Sequence, residues 1–514
     1  MAPCKISSCV FCIGVISMAS WAVTHSDAEA DKLAYEIENS VMAANTAFTV
    51  SKDCVSVESY ARFVRIGKWN EVWTGADGKP EVRKVKGKIW TKAIQKALDE
   101  HLTVKIPYSS KPYYIDAPLV ISSGHALIVD PKAEIRLKPD TKTCMIRNQH
   151  LFNGQKGVVS LGENNTDTEI LIEGGIWTTL ATSVDESNGN NSGYADSADS
   201  CLGAYGVILL HNIRNVTVRN LTIRQCRAFG IQIGNASHFM VENVHYDEHR
   251  RDGVHVEGPA EYGVIRKIDG ITLDDTVALN AWDWRICSIT FGPISHVLVE
   301  NITGGPNSHS SVRLLPGTKN FPGGAQVACD ISDCVIRNTS EIYNFKMYDQ
   351  PNELVDFADP IGNIRNIHLN GIKTSSLLNM RIRNFKYRNE NEGLIQVGAN
   401  VDGLSISDVE IGTSDIETPP SDFRLVDVGP KSYTNTNGDP NDPSVWVEVY
   451  SPDRDAIVRH LKIQDVYFTR KKGTNYEKTK IPAINLVRII KQKVNSDYPI
   501  TTPKGGTGKG VLIP

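Results

Sequence analysis

The sequence predicts a single-domain, all-β protein folded as a right-handed parallel β-helix, with a short helix capping its N-terminal end. Three observations support this prediction. Short apolar alternations recur along most of the chain, and each is interrupted by Asn, Asp or Gly. The smallest step between interruptions is about two dozen residues, the length of one three-sided coil. Hairpin dipeptides at intervals of about 8 to 12 residues, which are typical of a β-sandwich, do not dominate.

The composition is that of a globular protein and disfavours several classes of partner. The chain has 514 residues, of which 40% are hydrophobic and 22% charged, and its formal net charge is −4. This balance favours neither nucleic acid nor an anionic membrane as a partner. The length allows three or more average domains, but solenoids use such a length as one unit. We therefore expect one domain and a monomer.

The first residues have the pattern of a secretory signal peptide. A charged start, MAPCK, precedes the apolar run ISSCVFCIGVISMASWAV, which ends at Ala22. We expect residues 1–22 to be removed, or cleavage a few residues later near Ala28, and hence a secreted protein. A buried N-terminal strand and an uncleaved anchor are the alternatives. Residues 23–80 form a mixed N-terminal extension, and no later apolar stretch is long enough to span a membrane.

The cysteines do not indicate a metal site or a disulfide scaffold. Of the ten in the sequence, three lie in the predicted signal peptide, which leaves seven. An odd number without CxxC spacing argues against zinc and against a fold built on bridges. Cys329 and Cys334 are close enough along the chain for a bridge, but in a β-coil we favour a role as small core residues.

The coil opens with a short helix. The apolar residues of segment 89–100 share one helical face: Ile89, Ala93, Ile94, Ala97 and Leu98. This spacing predicts an amphipathic helix. Strands TVKIP, YYID, LVIS, ALIVD and EIRLK follow at once. A helix in this place covers the first coil, whose strand edges would otherwise stay unpaired.

The repeat that follows sets the extent of the β-helix. We take eight residues as equivalent corner positions: Asn220, Asn243, Gly270, Asn301, Asp333, Gly371, Asp408 and Asp465. The steps between them run from 23 to 57 residues, and the longer steps are coils with inserted loops. Asn and Gly supply the left-handed backbone that such bends need. The β-helix is thus predicted over residues 81–480, with a C-terminal tail at 481–514.

Three aspartates precede two successive apolar alternations. Asp252 comes before GVHVEG, and Asp274 and Asp275 come before TVALNA. A separation of 22 residues is about one coil, and adjacent coils lie about 4.8 Å apart, so we expect the carboxylates to crowd together. Adjacent residues 274 and 275 both reach one cleft only at a corner or bulge. Crowding raises at least one pKa, so that a protonated acid and an ionised base coexist, as glycoside hydrolysis requires. Structural corner aspartates are the alternative.

These motifs resemble those of the polygalacturonase-type glycoside hydrolases (family 28) of the pectin-lyase-like β-helix superfamily. That family carries Asn-Thr-Asp-Gly, then an Asp-Asp pair one coil on, then Gly-His-Gly and Arg-Ile-Lys. Here RRDG matches at Asp252 and Gly253, LDDTVAL matches the pair, and SVRLL matches only at Arg313. The resemblance to the superfamily covers residues 89–470, whereas the motif match is confined to 252–348.

The resemblance implies an inverting glycoside hydrolase acting on a pectin-like or other acidic polysaccharide, with no cofactor and no metal. It implies that Asp274 is the general acid and that Asp252 and Asp275 hold and activate the water. Arg313 would bind substrate near the cleaved bond, and Tyr348 lies where the family has a further tyrosine.

The chain departs from the family at two motifs. No Gly-His-Gly follows the Asp pair, and Leu315 stands where the family has Lys. In the family this Lys helps to hold a galacturonate carboxylate, so the resemblance leaves the sugar open. His255, which we place on the outward face of its strand, and His309 are the candidates to replace the histidine, and an ordinary polar surface position is the alternative for each.

Three other residues near the acids suit a sugar substrate. Trp282 and Trp284 follow the Asp pair and offer apolar faces on which sugar rings stack. Packing in the core is the alternative for either one. Arg251 precedes Asp252, and its guanidinium suits a carboxylate or sulfate on the substrate. A solvated surface charge is the alternative for Arg251.

Two other functions stay open at this point. A β-helix lyase or epimerase abstracts a proton beside a uronate carboxylate and usually relies on Lys, Arg or a His-Tyr base, often with calcium. The three aspartates argue against that chemistry. A carbohydrate-binding or adhesion β-helix without catalysis is the second alternative, with the lost His and Lys as signs of decay.

Overall fold

The computed structural model describes most of the chain between residues 27 and 513. The described ranges are 27–46, 54–141, 143–151, 166–181, 207–283, 289–305, 308, 310–320, 324, 326–348, 362–377, 393–413, 423–428, 431–435, 446–450, 456–473, 475–481, 487–490, 500–501 and 510–513. The predicted signal peptide, Trp284 and His309 lie outside them. Within these ranges, no helix has the length and apolarity to cross a membrane.

The described residues form two α-helices, a 3-10 helix and many short strands. The helices are α1 (Ala28–Thr46), the 3-10 helix Val57–Phe63 and α2 (Thr91–Glu100). The first strands are β1 (Cys54–Ser56), β2 (Arg65–Thr74), β3 (Pro80–Ile89), β4 (Thr103–Ile106), β5 (Tyr113–Ile115), β6 (Leu119–Ile121), β7 (Ala126–Leu137) and β8 (Ile146–Asn148). The coils continue with β9 (Asp167–Thr178), β10 (Ile208–Arg224), β11 (Ile231–His249), β12 (Val254–Thr272), β13 (Val277–Asn280), β14 (Ile294–Ile302), β15 (Val312–Leu315), β16 (Gly317–Asn320), β17 (Gln326–Cys329), β18 (Ile331–Thr339), β19 (Phe345–Tyr348), β20 (Asn363–Thr374), β21 (Ile395–Gly398), β22 (Asn400–Thr413) and β23 (Val426–Val428). The last strands are β24 (Lys431–Asn435), β25 (Trp446–Tyr450), β26 (Ala456–Lys472), β27 (Asn475–Lys480), β28 (Val487–Ile490), β29 (Ile500–Thr501) and β30 (Gly510–Ile513).

The strands stack in parallel, each on its equivalent one coil away. β10 pairs with β11, β11 with β12, and β12 with both β13 and β14. The stack then passes through β18, β20 and β22 to β26. The predicted all-β parallel β-helix is therefore confirmed by the pairing of the strands.

The apolar alternation of each strand decides which side chains face the interior. In β12, Val254 and Val256 belong to one large core cluster, whereas His255 and Glu257 point away from it. Because successive side chains of a strand alternate between its faces, the coil fills its interior with every second residue. Cys329 and Cys334 are both buried, unbridged members of this cluster, so the preference for core residues over a disulfide is confirmed.

The predicted corners have the expected backbone, but two belong to other corners of the coil. All eight have a left-handed φ, between 51° and 104°. Gly270 and Asp333 are the two exceptions. Gly270 pairs with Tyr246, which is not one of the predicted corners, and Asp333 follows Ser332, which pairs with Ser295. Each coil has several corners and the same residue types serve them all, so residue type alone does not identify the column.

The N-terminal end is covered as predicted. α2 buries Ala93, Ile94, Ala97 and Leu98 against the core, and the helix predicted at residues 89–100 is confirmed at Thr91–Glu100. The short strand β1 pairs with β4 and adds a further edge to the first coil.

The segments predicted as extension and tail are more ordered than their sequences indicate. α1 lies across the outer face of the coils, where a small apolar cluster joins Ile37 and Val41 to Met240, Val264 and Leu298. At the other end, β28 pairs with β23 and β30 pairs with β26, both in parallel. The predicted tail at 481–514 thus includes strands that pair with the β-helix.

Candidate active site

The three aspartates meet at the corner that leads into β12 and β13. Val254 pairs with Val277, and the amide of Gly253 donates to the carbonyl of Asp275 over 2.8 Å. One coil here is 23 residues, so Asp252 lies beside Asp275 rather than beside Asp274. The sequence estimate of 22 residues was therefore one residue short. The corner, rather than a regular strand, lets adjacent residues 274 and 275 both turn toward Asp252.

Gly253 explains why a glycine follows the first aspartate. A Cβ atom built at Gly253 would lie 2.6 Å from the carbonyl oxygen of Thr276 and 2.9 Å from the ring of Tyr246. The backbones of the two coils therefore approach closely at this corner, and only a residue without a side chain permits it. This close approach brings Asp252 and Asp275 together.

The carboxylates form one tight group with unequal access to solvent. One oxygen from each of Asp252, Asp274 and Asp275 lies within 4.8 Å of the others. The side chains of Asp252 and Asp275 are 1% and 0% exposed, whereas that of Asp274 is 21% exposed. Only Asp274 is therefore accessible to a polymer outside the coil.

Two arginines balance part of this negative charge. Arg313 Nε lies 2.7 Å from Asp275 Oδ2, and Arg313 Nη2 lies 3.7 Å from Asp252 Oδ2. Arg251 Nη1 donates to Asp274 Oδ2 over 3.0 Å. Arg313 is 11% exposed and Arg251 is 32% exposed. Arg251 is thus the guanidinium that a substrate group reaches more readily.

His255 is the third cation of the group. Its Nδ1 donates to Asp252 Oδ2 over 2.7 Å, and its ring stacks on Phe229 with centroids 4.0 Å apart. The side chain points outward from the core, as predicted, but it is 0% exposed because other residues of the chain cover it. His255 therefore supports Asp252 and offers no open surface to a sugar.

Glu257, two residues further along the same strand, is bonded to the chain at residues 289 and 290. Its carboxylate accepts hydrogen bonds from Gln232 Nε2 over 2.6 Å and from the backbone amides of Ile289 and Thr290 over 2.9 and 3.2 Å. Glu257 Oε1 also lies 3.6 Å from His255 Nε2, a distance at which the attraction is electrostatic. A buried carboxylate thus links the chain at 289–290 to the histidine beside the acids.

Burial and neighbouring charge set the protonation of the group. Burial, followed by the charges of Asp274 and Asp275, raises the pKa of Asp252 to about 6, against the opposing effects of His255 and Arg313. Burial alone lowers the pKa of His255, but its interactions with Asp252 and Glu257 outweigh burial and raise that pKa to about 10. At neutral pH His255 is therefore a cation beside an ionised Asp252.

The same carboxylates have the donor chemistry of a divalent-cation site. Calcium, however, takes six to eight oxygen ligands, and magnesium needs an octahedral set. Three carboxylates that already contact Arg313, Arg251 and His255 fit neither requirement well, because the cations repel a metal ion and occupy the oxygens. The group suits proton transfer and the binding of water better than the binding of a metal.

Of the three aromatic residues predicted near the acids, the structure describes the side chain of Trp282. Trp282 is 1% exposed and belongs to the core cluster beside Phe291. This burial favours the core alternative for Trp282 over a role as a stacking surface. Trp284 lies outside the described residues. For Tyr348 the structure gives only the backbone, which pairs with Gly398 in the next strand.

Three polar residues of the site were not predicted from the sequence: Glu257, Asn280 and Asp283. Asn280 donates to Asp283 Oδ2 over 2.8 Å, and Arg313 Nη2 lies 3.7 Å from the same oxygen. Glu257 lies two residues beyond His255 on the outward face of its strand, and Asn280 pairs with Glu257 in the next coil, so following the outward face along both strands would have found them. Asp283 lies in a connection, where no periodicity identifies it.

The molecule is thus a parallel β-helix protein with three carboxylates grouped at one corner, two of them buried. No protein-family model and no curated protein matches the sequence. Among solved structures it is similar to the surface adhesin PfbA of Streptococcus pneumoniae (TM-score 0.39, 12% identity, covering 90% of this chain and 99% of that chain). It is also similar to the family 28 exopolygalacturonase of Yersinia enterocolitica (0.40, 11%, 83% and 83%) and to the endo-xylogalacturonan hydrolase of Aspergillus tubingensis (0.40, 9%, 78% and 91%).

The family suggested by the motifs is represented among these structures, beside an adhesin. The parallel pairing of this chain's own strands defines its fold.

Proposed function

We propose that the protein is a secreted glycoside hydrolase that cleaves an acidic polysaccharide with Asp274 as general acid and a water activated by Asp252 and Asp275. The observation that carries the proposal is the unequal exposure of three carboxylates within 4.8 Å of one another. The match of RRDG and LDDTVAL to the polygalacturonase motifs supports the same assignment.

In the proposed reaction Asp274 protonates the glycosidic oxygen while the bond from that oxygen to the anomeric carbon breaks. A water molecule loses its proton to Asp252 and adds to the anomeric carbon from the opposite face. A pKa of about 6 suits Asp252 to this task, because it is ionised at neutral pH and still basic enough to accept a proton. Asp275 and Arg313 keep the water and Asp252 in place.

Arg251 gives an acidic substrate a specific advantage. In the free protein its guanidinium neutralises Asp274. A carboxylate on the sugar competes with Asp274 for this guanidinium, so an acidic sugar has a binding partner directly beside the exposed acid. A neutral sugar has no group that pairs with Arg251 in this way.

We propose inversion at the anomeric carbon. A nucleophile in a retaining enzyme must touch the sugar, but Asp252 and Asp275 are almost fully buried and act only through water. The short spacing of the carboxylates is a contrary feature, since inverting pairs are generally about 6.5 to 9.5 Å apart. The exposure of the side chains decides the assignment here, because it determines which carboxylates the sugar can touch. NMR of the first-formed anomer tests the proposal, and retention of configuration would refute it.

The function itself is tested by incubating the protein with polygalacturonate, other uronate polymers and neutral glucans. We expect new reducing ends from an acidic polymer with no ultraviolet-absorbing product. An unsaturated, absorbing product would instead identify a lyase. Binding of the polymer without any cleavage would identify a non-catalytic carbohydrate-binding protein.

A further inference from the structure

The hairpin of β2 and β3 packs one face on the β-helix. On this inner face, the ring of Trp69 lies 4.6 Å from that of Tyr114. Glu71 is fully buried and accepts hydrogen bonds from Trp69 Nε1, Trp73 Nε1 and Arg136 Nη1 over 3.1 to 3.2 Å. The buried charge is therefore satisfied, and the hairpin is held rigidly against the outer face of β5 and β7.

The opposite face of the hairpin presents lysines to solvent. Lys68 pairs with Lys86 across the hairpin, with Lys84 and Lys88 two residues away on either side. All four are exposed, and this face carries no Asp or Glu. In the part of the chain that the structure describes, none of the four has a carboxylate within 4.0 Å, although the neighbouring Arg83 does. We call these four residues the lysine face.

Without a bound partner, the four lysines of the lysine face repel one another. Like charges directly opposite each other in an antiparallel pair repel, and Lys68 and Lys86 stand in that relation. Neighbours two residues apart on one strand face add a second repulsion at about 7 Å. A negatively charged partner with several charges in a row would relieve both.

We propose that the lysine face binds an anionic polysaccharide chain and forms a second substrate-binding surface of the protein. The inference rests on the proposed function for the class of polymer. A linear polymer with one carboxylate on each sugar presents charges at regular intervals, which matches a grid of lysines better than a single small anion does. Lysine ammonium groups suit such a partner because their flexible stems adjust to the spacing of the charges.

The position of the lysine face fits a polymer that also reaches the acids. Tyr114, under the hairpin, pairs with Arg136, and this column continues through Thr178 and Arg224 to Asp247. Four steps of about 4.8 Å place the two levels roughly 19 Å apart on one sheet. Asp247 comes five residues before Asp252, with a bend at Glu248 between them, so the hairpin lies over the sheet that leads to the acid corner.

The same features disfavour nucleic acid as the occupant. Single strands bind by stacking their bases on aromatic rings, and both tryptophans of the hairpin are on the inner face.

The test compares two fourfold variants in the Asp274→Asn background, where the polymer is not cut. The first carries Lys68→Gln, Lys84→Gln, Lys86→Gln and Lys88→Gln. The matched control replaces four lysines that already have carboxylate partners: Lys32, Lys267, Lys472 and Lys480. Both change the net charge from −4 to −8, since −4 − 4 = −8. Binding of polygalacturonate, dextran and a DNA duplex is measured by affinity electrophoresis, after circular dichroism has confirmed the fold.

We expect the lysine-face variant to bind polygalacturonate at least about tenfold more weakly, because several exposed ion pairs are lost together. The control should stay within about twofold, and added salt should weaken binding of the parent protein more than that of the lysine-face variant. Equal binding by the two variants overturns the proposal, as does tighter, lysine-dependent binding of DNA. Unchanged binding with aggregation of the variant also overturns it, because the lysines would then only protect a sheet edge. None of these outcomes bears on cleavage, which the product assay with and without Asp274 tests separately.

Discussion

Replacing His255 with Gln removes one partner of a buried ion pair and tests the electrostatics of the site directly. Both side chains of the pair with Asp252 are almost fully buried, and their atoms are 2.7 Å apart. Loss of one partner from such a pair costs about 3 to 5 kcal/mol, because the other charge is left in a low-dielectric site. We therefore expect His255→Gln to lower the free energy of unfolding by about that amount at pH 8, where Asp252 is ionised.

The loss of unfolding free energy caused by His255→Gln depends on pH. The pKa of Asp252 is about 6, so below pH 6 Asp252 takes up a proton and the unpaired charge disappears. The destabilisation by His255→Gln should therefore be smaller at pH 5 than near pH 7. The folded-state pKa of His255, about 10, lies above its ordinary value near 6.5. The parent protein should hence lose stability as the pH rises from 6.5 through 10, and the variant should lack this slope.

A second histidine pair in the same region supplies the control. His245 Nδ1 lies 2.6 Å from Asp269 Oδ1, but the two side chains are 54% and 61% exposed. Exposed pairs are worth only about 0.2 to 1 kcal/mol, so His245→Gln should change the free energy of unfolding little at any pH. The measurement is urea unfolding of both variants at pH 5, 8 and 10. Equal costs for the two substitutions, or a cost for His255→Gln that does not depend on pH, would refute the reasoning.

Three further predictions follow from the same contacts. Arg313→Gln leaves Asp275 buried without its cation, so it should cost about 3 to 5 kcal/mol in urea unfolding, whereas Arg251→Gln, at an exposed position, should cost under about 1 kcal/mol. The kcat/KM of the parent protein should rise with pH through about 6, because Asp252 accepts a proton only when ionised; a flat profile from pH 4 to 8 would remove Asp252 from that role. Exhaustive treatment with EDTA should leave product release unchanged, since the cations around the carboxylates take the place of a metal, and a loss restored by calcium would contradict this.

The interior of the fold was predictable because the relevant signal is local. Apolar residues at every second position, as in GVHVEG, specify which side chains face the core, and Asn, Asp or Gly marks the bends. The face of α2 that includes Ala93 and Ile94 was predictable for the same reason, since its helical spacing requires no knowledge of the partner.

The arrangement of the site depends on the register between coils, which a local pattern does not determine. A shift of one residue decides that Asp252 stands beside Asp275 and that Arg251 stands beside Asp274. The surroundings of His255 include Phe229, 26 positions before it, and Glu257, which bonds to the amides of residues 289 and 290 more than thirty positions further along the chain. Trp282 shows the same limit, because its place in the core depends on how the chain turns after β13.

The outer face of the coils was predictable least of all. α1 has only a weak apolar stripe, and its partners Met240, Val264 and Leu298 occupy positions that would otherwise face solvent. Such contacts join segments some 200 residues apart along the chain, so no periodicity in either segment predicts the pairing.

The most direct test of the account is release of reducing ends from polygalacturonate and other uronate polymers by the parent protein, by Asp274→Asn and by Asp269→Asn. Asp269 lies five residues away and is exposed, so its variant controls for the loss of a carboxylate outside the site. The account predicts release by the parent and by Asp269→Asn, and a loss of about a hundredfold or more in Asp274→Asn, as expected when a general acid is removed. Equal release by all three proteins would contradict the assignment of Asp274. No release by any of them, with the polymer still bound, would contradict catalysis altogether.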